Sequence, residues 1–217
     1  MNTNDLIEDL ARGVKPITPL WRPGRRAAAW CFGATVYLGI VVLAMSAVNA
    51  RVGGAGAAFW VSQIAAVAMG LLASRAAFVS VVPGMSKRSH AWAVLAALVW
   101  LGTLVAASPP DFDWGTVPAA SHEWMCVGFI VMAGAPLMFV LAVMLRRGAP
   151  LRPATTAAFA ALAVGALANV GACFSLSHAN SAITLAWHGG AVIALAAFGA
   201  FAGRFMFVWN AGRSRVV

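Results

Sequence analysis

The chain has 217 residues, of which 62% are hydrophobic and 10% are charged, and its mean hydropathy is +0.85. A soluble globular domain carries roughly 25% charged residues, so this composition excludes an ordinary soluble domain. The formal net charge of +9 would favour nucleic-acid binding in a soluble protein. Here the bases flank apolar segments, so we expect them to set membrane topology and expect no direct contact with nucleic acid.

Residues 1–26 form a polar opening, with the sequence NDLIEDLARGVKPITPLWRPGRR over residues 4–26. Thr3 or Asn4 can cap the start of a helix, and the helix dipole favours the acids that follow. Glu8 and Arg12 are correctly ordered for an i,i+4 ion pair. We predict a short amphipathic helix with one narrow apolar stripe, which Pro16 ends. The stripe consists of Leu6, Ile7, Leu10 and Val14.

A helix of about twelve residues is marginal alone in water, and it would order on meeting an apolar groove. We therefore expect residues 1–26 to be a cytoplasmic tail that docks on a partner protein through this stripe and Pro16. The alternative is a helix that lies on the membrane surface. Asp5, Glu8 and Asp9 disfavour it, because such helices carry basic polar faces and the inner leaflet is negatively charged.

Six apolar segments follow the tail, each long enough to cross a membrane as a helix. The alternating pattern of a membrane β-barrel does not occur in them. We therefore expect an all-α integral membrane protein with six transmembrane helices. Its membrane domain covers residues 27–209, and a short basic cytoplasmic tail covers residues 210–217. The segments run roughly over 27–48, 57–78, 91–108, 124–145, 154–176 and 182–209.

The charged residues divide between the two sides that these segments define. One side has Arg51 as its only base, together with Asp111, Asp113 and Glu123. Because an excess of Lys and Arg marks the cytoplasmic side, we expect the other side to face the cytoplasm, with both termini inside. That side receives Arg22, Arg25, Arg26, Arg75, Lys87, Arg88, Arg146, Arg147, Arg152, Arg204, Arg213 and Arg215.

Small residues predict where the helices pack closely. Gly199 and Gly203 form a GxxxG pattern in the sixth segment, and Gly165 lies among alanines in the fifth. Such residues let helix backbones approach each other in a membrane. The alternative is that Gly and Ala are simply common in these segments.

Ionisable residues deep in a membrane are costly, so each suggests a function. His188 in the sixth segment is the deepest here, and Gln63 in the second segment could hydrogen-bond it or simply tie helices together. His188 could equally be a neutral histidine satisfied by a neighbouring helix, so its role stays open. Cys31, at the inner end of the first segment, is expected to be structural.

The outer side carries four groups that bind soft or borderline metals. His122 and Cys126 are four residues apart at the start of the fourth helix, so their side chains share a face. Cys173 lies near the end of the fifth helix, and His178 lies in the loop after it. We expect Cys126 and Cys173 to lie at the same depth and, assisted by the two histidines, to bind a heavy-metal ion transiently. Alternatively, each cysteine packs as a small hydrophobe.

These features resemble the NrsF family of bacterial membrane anti-sigma factors across essentially the whole chain. The resemblance rests on the opening stretch DLIEDLARGVKPITPLWRPGRRAAAW, the six-segment layout, HEWMC at 122–126, LRRGAPLRP at 145–153 and LAWHGG at 185–190. It implies a protein of the bacterial inner membrane, in contact with lipid, whose cytoplasmic tail holds an extracytoplasmic-function sigma factor inactive. It also implies that two outer cysteines, matched by Cys126 and Cys173, release the sigma factor under heavy-metal or oxidative stress.

The expected function is therefore regulatory binding without catalysis and without a resident cofactor. A small six-segment transporter or channel is the alternative, but it would be expected to have an inverted repeat, paired broken helices and several midplane polar residues. A haem-binding redox protein would need His178 and His188 as ligands. Ten residues of helix place these about 15 Å apart, which is too far to share one iron.

Overall fold

The computed structural model describes residues 2–12, 21–48, 56–84, 88–111, 124–148, 152–176 and 181–206. Within these ranges the chain is helical and without β-strand, and six helices are long and apolar enough to cross a membrane. The predicted all-α fold with six such helices is confirmed. The elements are α1 (Thr3–Arg12), α2 (Pro23–Val48), α3 (Ala57–Ser80), α4 (Arg88–Ala106), α5 (Trp124–Arg146), α6 (Pro153–Ser175), α7 (Ser181–Thr184), a π-helical turn (Leu185–Gly189) and α8 (Gly190–Met206).

Helix α1 precedes the six long helices, and all of its described side chains are exposed. Glu8 and Arg12 form an ion pair of 3.2 Å with the predicted i,i+4 spacing. Ile7 belongs to the predicted apolar stripe, and its side chain is described. It is 60% exposed. The predictions for the side chains of Leu6 and Leu10, and for Val14 and Pro16, lie outside the described residues.

Helix α2 begins earlier than the predicted first span. Its first residue is Pro23, so Arg25 and Arg26, which the sequence placed in the tail, lie in the first turn of this helix. Proline suits this position because the first N–H groups of a helix have no partner within the helix. The arginines are therefore part of the helix that follows the tail.

Helix α6 lies at the centre of the bundle, where it packs against α2, α3, α5 and α8. Two thirds of its most apolar stretch is buried, against two fifths or less in each of the other long helices. Its sequence explains this position, because small side chains allow several helices to approach it at once. Six alanines of α6 are completely buried: Ala157, Ala160, Ala163, Ala166, Ala168 and Ala172.

The GxxxG pattern of the sixth segment marks the closest approach of α8 to α6. A methyl group added at Gly199 would lie 2.7 Å from Cβ of Ala161 and 2.8 Å from the carbonyl oxygen of Ala157. Gly203 lies at least as close to Ala157 and Pro153. The predicted role of these glycines in close packing is confirmed.

The sixth span differs from the continuous helix predicted over residues 182–209. A π-helical turn at Leu185–Gly189 separates α7 from α8. A π turn accommodates one more residue than an α-helical turn, so it changes the direction in which the following side chains point. His188 lies in this turn and is completely buried.

The described bases of the long helices lie at or toward one end of the bundle. At this end Arg26 of α2 lies over the Phe78 ring of α3, 4.8 Å from its centroid, and Ser80 of α3 hydrogen-bonds His90 of α4 at 2.8 Å. The ends of α5 and α8 and the start of α6 lie at the same end, as the contact of Gly203 with Pro153 shows. We call it the basic end. It also contains Arg22, Arg25, Arg88, Arg146, Arg147, Arg152 and Arg204.

The opposite end of the bundle is formed by the starts of α3 and α5 and the end of α6. Phe174 of α6 packs against Phe59 and Trp60 of α3, with ring centroids 5.5 and 5.9 Å apart. Cys126 lies in the first turn of α5 and Cys173 in the last turn of α6. We call this the thiol end.

Candidate functional site

Cys126 and Cys173 are both buried, with 3% and 9% of their surfaces exposed. No disulfide involves either of them or Cys31. Cys31 lies toward the basic end, where its sulfur is 3.2 Å from the Ser74 hydroxyl. Its buried, hydrogen-bonded position fits the structural role that the sequence predicted.

The packing of α5 on α6 sets the relative depth of the two thiols at the thiol end. Ile130, one turn after Cys126, packs with Ala168 and Ala172. Gly134, one turn further, faces Val164, whose Cγ1 would lie 3.0 Å from an added methyl. Since the helices run antiparallel in this register, Cys126 lies level with Cys173, in agreement with the predicted depth.

Two polar side chains meet beside Cys173. The Nδ1 atom of His188 lies 2.6 Å from Oδ1 of Asn169 and 3.8 Å from the sulfur of Cys173. The same sulfur lies 4.0 Å from Oδ1 of Asn169. All three side chains are buried, and we call this group the Cys–His–Asn cluster.

Two local features bring the cluster together. Asn169 and Cys173 are four residues apart on α6, so their side chains lie on one face of that helix. The π turn supplies the third group, because it directs His188 toward this face of α6. An amide oxygen only accepts hydrogen bonds, so the short contact with Asn169 places a proton on Nδ1 of the ring.

Asn169 was not identified from the sequence, and of the two roles left open for Gln63, a hydrogen bond to His188 does not form. Gln63 is buried in α3, but its amide nitrogen donates to the Ser62 hydroxyl at 3.3 Å. His188 contacts Asn169 of the neighbouring helix α6, in agreement with the alternative that a neighbouring helix satisfies this histidine. A signal was present, because Asn169 is the one amide side chain in the Ala- and Gly-rich sequence of α6.

Part of the predicted outer site lies outside the described residues. His122 and His178 lie outside the described residues, as do Asp113 and Glu123. Within the described ranges, no group of three or more His, Cys, Asp and Glu side chains is arranged to hold a metal ion.

At the basic end, α2 is tied to the backbone of α5 by two side chains. Arg26 is 5% exposed and donates through Nη2 to the carbonyl oxygen of Met144. One turn later, the indole N–H of Trp30 donates to the carbonyl oxygen of Leu137 at 3.3 Å. The sequence placed Arg26 in the polar tail, but its side chain lies inside the bundle. Helix α5 therefore carries Cys126 at one end and accepts a hydrogen bond from the first turn of α2 at the other.

The family model described as NrsF, negative regulator of sigma F, matches residues 10–209, which is most of the chain. No curated protein and no solved structure matches the chain.

Proposed function

Since the chain belongs to the NrsF family of negative regulators of sigma F, we propose that it is a membrane-bound anti-sigma factor for an extracytoplasmic-function sigma factor. In this account, residues 1–26 hold the sigma factor at the cytoplasmic face of the bacterial inner membrane. Heavy-metal or oxidative stress at the outer face then releases it. The protein acts by binding and not by catalysis.

Charge distribution supports the orientation. The described bases of the long helices lie at or toward the basic end, and such an excess marks the cytoplasmic side of a membrane protein. This orientation puts both termini in the cytoplasm and the thiol end outside. Disulfides and thiol–metal chemistry persist outside the cytoplasm, where reducing systems do not act on them.

The observation that carries the proposal is the exposed helix α1. It precedes the basic first turn of α2, and all of its described side chains are exposed. Ile7 leaves more than half of its surface uncovered. An amphipathic helix of this length is stabilised when its apolar face enters a groove on a partner. Leu6, Ile7, Leu10, Val14 and Pro16 would form the face that binds the sigma factor.

The sensor in this proposal is the pair of outer thiols, Cys126 and Cys173, assisted by His122 and His178. Their shared depth on the neighbouring helices α5 and α6 supports the pairing. A disulfide needs the two Cα atoms within about 7 Å, and a bridging thiophilic cation would also fix their separation. Either event would alter how α5 packs on α6.

The contact of Arg26 with Met144 supports a route from the thiols to the tail. If α5 shifted, the Met144 carbonyl near its inner end would shift Arg26 with it. Arg26 lies in the first turn of the helix that follows the tail. Packed helices transmit such shifts when the bundle has two arrangements of similar energy. The signal would cross roughly 30 Å of hydrocarbon in this way.

Co-purification tests the proposed function directly. The full chain, extracted in detergent, should retain the sigma factor, and a variant that lacks residues 1–20 should lose it. Equal recovery of the sigma factor with both proteins would contradict a role for the tail.

A further inference from the structure

An apolar groove lies between α5 and α8, on the side of the central helix α6 that faces the lipid. It has a volume of about 310 Å³ and an entirely apolar lining, and its walls include Val131 and Phe198, which are 44% and 66% exposed. The groove forms because small residues lie between these walls: Gly134, Ala135, Ala161, Gly199 and Ala202. Water does not stabilise such a groove inside a membrane, so an apolar group from outside the bundle should fill it.

We propose that the groove holds one acyl chain of an acidic phospholipid of the cytoplasmic leaflet, and that Arg146, Arg152 and Arg204 bind its phosphate group. Each of the three helices that line the groove has one of these arginines at or next to its end, and all three arginines are exposed. The lipid site uses the orientation proposed above and is independent of the capture of the sigma factor.

Arg204 lies level with the start of α6, beside the α8 wall of the groove. A methyl group added at Gly203 would lie 3.2 Å from the carbonyl carbon of Pro153, which is the first residue of α6. The Arg204 guanidinium lies over the Phe205 ring, 5.2 Å from its centroid. Phe205 follows Phe198 by seven residues, which is two turns along the same stripe of α8. The charge therefore lies where this wall continues toward the basic end.

Arg146 lies at the same level on the α5 side of the groove. Gly134 of α5 faces Val164 of α6, and the two helices are antiparallel. Twelve residues from this contact lie Arg146 on α5 and Arg152 before α6, so the two arginines are level with each other. Arg146 also follows Ala135 of the groove by eleven residues, close to three full turns, so the two share a stripe of α5.

Charge complementarity favours an acidic lipid as the occupant. The six spans, as the structure describes them, contain arginines but no Asp or Glu. Basic pockets between transmembrane helices on the cytoplasmic side bind acidic headgroups, and guanidinium groups form paired hydrogen bonds with phosphate oxygens. A zwitterionic headgroup adds a positive group beside its phosphate, so it should bind more weakly.

A second copy of the chain is the other occupant that an apolar groove accepts. In a two-fold symmetric dimer the same surface of each copy meets its equivalent. The arginines at the end of the groove would then approach those of the other copy, and such a meeting of like charges is unfavourable. An acidic lipid neutralises the same charges.

Native mass spectrometry of the purified full-length protein tests the headgroup contact. The delipidated protein is mixed with equal amounts of phosphatidylglycerol and phosphatidylcholine that have the same acyl chains. Each arginine near an acidic lipid contributes about fivefold to affinity, so Arg146→Gln, Arg204→Gln should bind phosphatidylglycerol about 25-fold more weakly. The matched control, Arg22→Gln, Arg88→Gln, removes two exposed charges beside α2 and α4, which do not line the groove, and should bind normally. Equal retention of phosphatidylglycerol by the Arg146, Arg204 variant and the unmodified protein would overturn the proposal.

Ala135→Phe tests the place of the acyl chain. The new ring fills the groove from an exposed position, so phosphatidylglycerol retention should fall severalfold although the arginines are unchanged. Ala44→Phe, on an exposed position of α2, is the matched control and should retain the lipid. Normal retention in Ala135→Phe would show that no acyl chain lies in the groove. If Ala135→Phe instead dissociates a dimer of the unmodified protein and leaves lipid retention unchanged, the occupant is a second copy and the proposal is wrong.

Discussion

His188 and Asn169 join the sixth span to the central helix α6 through a contact of 2.6 Å between Nδ1 and Oδ1. Both side chains are almost completely buried, so neither can exchange this hydrogen bond for one with water. The contact therefore has a consequence for stability.

Asn169→Leu should lower the free energy of unfolding by about 1–2 kcal/mol, since it leaves a buried histidine without this acceptor. The matched control is Gln63→Leu. The carbonyl oxygen of Gln63 has no hydrogen-bond partner among the described residues and its nitrogen bonds only Ser62, so this variant should cost less. Reversible unfolding in mixed detergent measures the free energy of unfolding of both variants. An equal loss of unfolding free energy in the two variants would show that the His188–Asn169 contact adds no stability of its own.

Asn169 and Gln63 mark the difference between what the sequence could predict and what it could not. Three features follow from short-range patterns along single helices. They are the length of the apolar segments, the GxxxG pair at Gly199 and Gly203, and the shared depth of Cys126 and Cys173. The partner of His188 does not, because the π turn changes the direction of its side chain in a way that helical periodicity misses. The burial of the Arg26 side chain was missed for a related reason. A base near a helix start is usually solvated, and only the bundle reveals the carbonyl and aromatic ring that stabilise it inside.

Topology is the premise on which the outer sensor depends. The gathering of bases at the basic end predicts that reporter fusions at residues 85, 149 and 217 are cytoplasmic and that a fusion at residue 115 is outside. Alkaline phosphatase and fluorescent-protein fusions at each position give opposite readouts for the two sides. A cytoplasmic signal at residue 115 would place the thiol end in a reducing compartment and contradict the sensor proposal.

Arg26 should be needed for release of the sigma factor under stress more than for its capture. Arg26→Ala removes the donor to the Met144 carbonyl and the contact with the Phe78 ring, so the shift of α5 should no longer reach the tail. Repression should persist and induction by Cd²⁺ should fall severalfold in a sigma-dependent reporter. Arg25→Ala is the matched control, because it removes the same charge from the adjacent, exposed position. If both variants induce normally, the α2–α5 contact carries no signal.

The thiols should affect induction and leave repression unchanged. Cys126→Ser and Cys173→Ser each keep the tail intact while removing a soft ligand, so reporter activity without stress should stay low and the response to Cd²⁺ or oxidant should be lost. Cys31→Ser is the control, since that thiol lies toward the basic end beside Ser74. Normal induction in the double variant Cys126→Ser, Cys173→Ser would mean that the outer cysteines serve only packing.

The central claim is that the N-terminal helix captures the sigma factor through its apolar stripe. The most direct measurement is the affinity of the purified full-length protein for the sigma factor, compared with that of Leu6→Ala, Leu10→Ala. Truncated interface anchors typically cost about 2 kcal/mol each, so the double variant should bind at least about 100-fold more weakly. Its control is Glu8→Ala, Arg12→Ala, which removes an exposed ion pair from the opposite face of α1 and should bind normally. Unchanged affinity in the leucine variant, with normal folding of the membrane helices, would contradict the account.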